Sequence, residues 1–174
     1  KLIKQEIIDF ESQRYIKAVI RVRVQKIKGK PDPNFRLEAK LDRRVYNEGD
    51  PIIIEASSSK DCYLYIFNIS SDDMVYVLLP NQYLNDNFIP KSTSIIIPPK
   101  KSEILYKASL LPNLDSDQEL IKVLAIKGEK MEDFDITLGK RDMALHTFYK
   151  MLLDLDRNQI SEVDLFFTIN KKPE

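Results

Sequence analysis

Apolar and polar residues alternate along much of this sequence, and that period of two limits the fold more than any other feature. In "YIKAVIRVRVQKI", Ile16, Ala18, Ile20, Val22 and Val24 fall on one face, while Lys17, Arg21, Arg23 and Gln25 fall on the other. That spacing predicts a long, half-exposed β-strand over residues 15–27. "KGKPDPN" breaks it with one glycine and two prolines, as a loop does. "FRLEAKLD" then alternates again, with Phe35, Leu37, Ala39 and Leu41 pointing inward.

After "YNEGDP" come short β-branched or aromatic runs: "IIIEAS", "CYLYIFNI", "MVYVLLP", "SIIIPP" and "ILYKAS". Polar turns separate them, and many short strands joined in this way predict an antiparallel β-sandwich of immunoglobulin-like type. The clearest hairpin is "YLYIFNISSDDMVYVLL", with Ser70 to Asp73 as its turn. "SDQELIKVLAIKG" is ambiguous. Ser116 and Glu119 would suit a reciprocal helix cap, but the Ile121, Val123 and Ala125 alternation favours a strand. Leu145, Phe148, Leu152 and Leu155 recur at helical spacing, which predicts one helix over about 142–155. "VDLFFTIN" closes the chain as a strand.

A length of 174 residues suits one domain with a short appendage, read as residues 1–30 (a strand segment, the tail of a preceding module) and 31–174 (the sandwich with its helix). Twenty-seven basic residues balance 27 acidic ones, which argues against a general nucleic-acid binder, whose affinity comes from phosphate neutralisation. No apolar run approaches the ~20 residues needed to span a bilayer. The chain opens on Lys1 without a signal-type apolar stretch, and the expectation is an excised piece of a longer, membrane-anchored parent.

"VYNEGDPIIIEASSSKDCYLYIFNISSDDMVYVLLPN" carries a resemblance. Tyr46, Gly49 and Asp50 precede an extended strand; Tyr63, Leu64, Tyr65, Phe67 and Asn68 form a second element; Leu79, Pro80 and Asn81 close a third. This pattern resembles the bacterial family of domain of unknown function 4384, over roughly residues 41–128 and more loosely beyond. The resemblance implies a non-catalytic, β-sandwich-like module. Such modules occur in larger bacterial proteins beside envelope-associated, caspase-like peptidase or kinase domains. The first thirty residues resemble the tail of a module from small surface or flagella-associated lipoproteins. The motif residues themselves read as fold signature: Gly49 suits a positive φ, Asp50 can cap that turn, and Tyr63, Tyr65 and Phe67 share one strand face.

Catalytic groupings are not evident. Cys62 lies in a strand-like run and reads as a buried, inert thiol, because a nucleophilic cysteine needs a histidine partner. The only histidine, His146, lies in the helical pattern. "DLDRNQISEVDL" places Asp154, Asp156 and Asn158 at the first, third and fifth positions of a calcium loop. It then departs from that pattern, with Gln159 in place of the glycine and Leu165 in place of the bidentate acid, so a polar turn after a helix is the favoured reading. Asp115, Asp117 and Glu119 form an acidic cluster, read as a helix cap or a solvated loop. Arg21, Arg23, Lys26, Lys28 and Lys30 form a basic stripe, read as a solvated face guarding an edge strand.

No cofactor or metal is expected. The favoured function is protein or glycan contact as part of a bacterial envelope protein, in the periplasm or at the cell surface. Its partner would be another envelope protein or a neighbouring domain of the same chain. The alternatives are a structural spacer pairing through edge strands, and a calcium-dependent or regulatory accessory domain. The candidate surface is the loop that follows the third motif element. Tyr83 and Phe88 would anchor a partner there, while Asn81, Gln82, Asn85, Asp86 and Asn87 offer hydrogen bonds.

Overall fold

A computed structural model describes residues 2–10, 13–20, 26–100, 102, 104–131 and 142–172, with side chains from residue 26 onward. The chain is mainly β, and its two principal sheets face each other as a sandwich rather than closing into a barrel. Strands β1 (Leu2–Phe10) and β2 (Gln13–Ile20) form a separate antiparallel pair. Of the strand predicted over 15–27, residues 21–25 lie outside the described residues, and with them Arg21 and Arg23 of the basic stripe. Lys26, Lys28 and Lys30 are exposed.

The smaller sheet orders β3 (Leu37–Leu41), β5 (Ile54–Ser58) and β9 (Ser94–Ile97), all antiparallel. The larger one is built on β6 (Cys62–Ile69), β7 (Met74–Leu79), β10 (Ser116–Ile126) and β12 (Ile160–Asn170). It runs in the order β7, β6, β10, β12 and is extended by three short pieces. β11 (Asp142–Ala144) adds beside β7, β8 (Phe88–Ile89) beside the start of β6, and β4 (Val45–Asn47) beside β12. The β4–β12 pair is parallel, where an all-antiparallel sandwich was expected. These closing strands are only two or three residues long, which limits the backbone that a foreign strand could use as a template.

The apolar run at 62–69 does not alternate because β6 is covered on both faces. Cys62, Leu64 and Ile66 point into the core between the sheets, with Ile54, Ala56, Val123 and Phe167. Tyr65, Phe67 and Ile69 point the other way, into a second cluster closed by helix α1 (Leu145–Asp154). Phe148 and Leu152 are the buried residues of that helix, and Leu145 and Leu155 pack at its edges. The Phe148 ring lies 4.7 Å from that of Phe67. The layers are therefore small sheet, large sheet and helix.

The 70–73 turn forms as expected. Ser70 N–H donates to the Met74 carbonyl at 2.9 Å, and Asp73 holds φ at 63°, a backbone region that aspartate tolerates better than most residues. Gly49 takes φ 85°, and the Asp50 carboxylate accepts the Asn47 N–H at 3.0 Å, as the motif suggested. "SDQELIKVLAIKG" is the strand β10. "ILYKAS" forms no strand of its own. Its carbonyls and amides clamp the 49–52 segment through Gly49 N to Ala108 O, Ala108 N to Asp50 O and Ile52 N to Tyr106 O.

Candidate functional site

The loop 81–88 leaves β7 after a cis Leu79–Pro80 peptide. Asn81 organises it. Its amide nitrogen donates to the Leu78 carbonyl at 2.6 Å and to the Tyr106 hydroxyl at 3.0 Å. Its amide oxygen accepts the Tyr83 and Leu84 N–H groups, both at 2.9 Å. Asn87 is buried at the other end, donating to the Leu64 carbonyl at 2.9 Å while its own carbonyl accepts Leu64 N–H at 2.8 Å. Asp86 turns back to accept Phe88 N–H at 3.1 Å. Of the seven candidate residues, Asn81, Asp86 and Asn87 thus hold the loop's own backbone. Gln82, Tyr83 and Asn85 are exposed, with Tyr83 at 68%. Phe88 is half-exposed and rests edge-on against Tyr63, with ring centroids 5.4 Å apart.

Behind the base of that loop lies a cleft of about 280 Å³ at one end of the sandwich. Tyr76 and Tyr106 line it, with Asn68 and Ser70 from β6 and its turn, and Glu119 from β10. Tyr106 is fixed: its hydroxyl donates to the Leu78 carbonyl at 2.5 Å, and burial pushes its pKa up to about 12. Glu119 is only 7% exposed. It accepts from the Asn68 amide nitrogen at 2.8 Å and from the Ser70 hydroxyl at 3.3 Å. Burial raises its pKa most. The two hydrogen bonds pull the other way, and the nearby Asp117 and Asp72 charges add to the rise. Asp117 is also buried, and its carboxylate accepts the Ser71 hydroxyl at 2.7 Å.

The reading of Asp117 and Glu119 as a solvated loop or helix cap is therefore corrected. They continue the inward phase of Ile121, Val123 and Ala125 along β10 and end on the core side of the sheet. That period-two phase was the available signal. Asp115, one residue before the strand, is exposed beside Lys171 at 3.3 Å.

Elsewhere, Asp156 in the calcium-like turn accepts the Asn158 N–H at 2.9 Å, and Arg157 N–H bonds the Lys28 carbonyl at 2.9 Å. These contacts describe a polar turn pinned to the 28–29 segment. No group of three His, Cys, Asp or Glu residues placed to hold a metal occurs among the described residues. Cys62 is buried, and burial raises its thiol pKa, which disfavours the nucleophilic thiolate. His146 is exposed on α1. No helix among the described residues is long and apolar enough to cross a membrane.

These residues carry a recognisable pattern. Residues 45–112 match the family model described as Domain of unknown function (DUF4384). The stretch contains all three motif elements read from the sequence, the whole 81–88 loop, and four of the five cleft residues just described. The DUF4384 match ends before β10, so the buried acids Asp117 and Glu119 come from outside it. No curated protein matches the chain.

Proposed function

We propose that this chain is a non-catalytic interaction module of a larger bacterial cell-envelope protein, presenting the 82–88 loop to a protein or glycan partner. One observation carries the reading. Asn81 and Asn87 fix the two ends of the loop through hydrogen bonds to its own backbone and to β6, while Tyr83, Gln82 and Asn85 face solvent. A loop held in one shape loses little conformational freedom on binding. An exposed tyrosine flanked by amides supplies both contact area and hydrogen bonds. The Tyr63–Phe88 pair beside it extends the apolar part of the surface.

The test is site-specific photo-crosslinking in the full-length parent. A crosslinker at position 83 is expected to capture a discrete partner in cells. The same group at Tyr149, exposed on α1, is expected to capture none. Tyr83→Ala together with Phe88→Ala should abolish co-purification of the captured partner. Equal crosslinking from both positions, or a partner indifferent to the double substitution, would remove the loop from the function.

A further inference from the structure

We propose that the cleft lined by Asn68, Ser70, Tyr76, Tyr106 and Glu119 binds an organic cation, an alkylammonium or guanidinium group of the kind that ends a lysine or arginine side chain. The inference goes beyond the loop reading and does not depend on it.

Its first ground is a carboxylate that has no counter-charge bonded to it among the described residues. Two other acids drawn from solvent meet a cation: Asp32 meets Lys60 at 2.8 Å and Lys127 at 2.6 Å, and Glu162 meets Lys122 at 3.0 Å and Arg157 at 2.7 Å. Asp117, also buried, is held by the Ser71 hydroxyl and does not line the cleft. Glu119 is more deeply buried than Asp32 or Glu162, yet its hydrogen-bond donors are the neutral Asn68 and Ser70. A carboxylate offers about four lone-pair sites, and two donors leave capacity for more.

The second ground is independent. The Asn68 amide oxygen is fully buried and, among the described residues, has no hydrogen-bond partner. Buried acceptors are seldom left without a donor. An ammonium brings three donors and a guanidinium five, enough to meet the open lone pairs of Glu119 and, with a turn of the Asn68 side chain toward the cleft, this oxygen as well.

The surroundings suit such a group. Asp72 and Asp117 add negative potential at Glu119, and Asp72 and Asp142 do so at Tyr76, against the exposed Lys107, which also lines the cleft. Tyr76 and the fixed ring of Tyr106 are aromatic walls, whose faces attract cations. Leu78, Leu110 and Ile121 give the cleft an apolar side for an aliphatic stem. A hard divalent ion fits less well, since calcium takes six to eight oxygen ligands and Glu119 is the only carboxylate lining the cleft among the described residues.

The experiment is amide-resolved NMR titration of the whole chain with four probes: Nα-acetyl-lysine N-methylamide, its uncharged norleucine counterpart, cadaverine and calcium chloride. The lysine mimic is expected to shift the amides of Asn68, Ser70, Tyr76 and Glu119 to saturation. The norleucine mimic should bind at least about tenfold more weakly, and Glu119→Gln should weaken the lysine mimic by at least about tenfold. Tighter binding of the lysine mimic than of cadaverine supports a partner protein's side chain as the source, and the reverse supports a free diamine. The proposal is overturned if norleucine binds as well as lysine, if the amine shifts saturate only outside the cleft, or if calcium binds where the amines do not. The norleucine comparison uses the unaltered protein, so it decides the matter even if Glu119→Gln fails to fold.

Discussion

Replacing Lys122 by methionine tests how this sheet tolerates a charge inside it. Lys122 sits mid-strand on β10, directly opposite Asp164 of β12, with its ammonium 2.8 Å from Asp164 and 3.0 Å from Glu162. It is 4% exposed, and Arg157 holds the other Glu162 oxygen at 2.7 Å. Removing one partner of a fully buried pair costs about 3–5 kcal/mol because the remaining charge stays unpaired. Here the acids keep 34% and 43% side-chain exposure, Glu162 keeps Arg157, and the methionine stem still fills the space. Losing a buried ammonium also removes its own desolvation. The net expectation for Lys122→Met is a loss of about 1–2 kcal/mol at pH 7, discounted from the buried limit for solvent screening.

The pH dependence fixes the sign. Burial raises the Glu162 pKa, but Lys122 and Arg157 outweigh it and hold the carboxyl below its ordinary 4.5. A depressed acid contributes stability above its unfolded pKa and loses it as pH falls through the folded one. The gap between wild type and variant should therefore narrow once pH drops below about 4.5. Urea unfolding followed by far-ultraviolet circular dichroism at about pH 7 and about pH 3.5 gives both numbers, with equal slopes as the check on two-state behaviour. A variant as stable as wild type at neutral pH, or a gap that persists undiminished in acid, would refute the reasoning.

Asn81→Ala removes four hydrogen bonds of the loop base and should cost about 1–3 kcal/mol, with faster hydrogen exchange at the Tyr83 and Leu84 amides as the local readout. Phe148→Ala empties a site closed against Phe67 and should cost about 3–5 kcal/mol, read as a fall of roughly 6–20 °C in Tm. An unchanged melt would mean that the helix does not close the second core.

The strands of the sandwich were legible because their faces differ in polarity: Phe35, Leu37 and Ala39 alternate with charged residues and face the core as expected. Strand β6 was legible through its composition rather than its period, since both of its sides are covered. The short strands β4, β8 and β11 left no mark, because two or three residues are too few to establish a period and their pairing depends on distant strands. In the loop, sequence located the polar cluster but could not divide it. Which asparagines hold backbone depends on carbonyls at Leu64 and Leu78 and on the Tyr106 hydroxyl, contacts that spacing does not encode. The cleft was missed for a different reason. Asp117 and Glu119 were judged by charge, which points outward, when the phase of their own strand points inward.

The order of the large sheet has a consequence for synthesis. Strand β6 is fully enclosed only after β10, α1 and β12 exist, and β4, near the start of the DUF4384 match, pairs with β12, more than a hundred residues later. At about 5–20 residues per second, a ribosome leaves the aromatic side of β6 uncovered for several seconds before its helix emerges. The nascent chain is then a sticky half-sheet that cannot finish early, so the hazard of misassembly falls during translation and release, and a truncation after residue 112 would make it permanent.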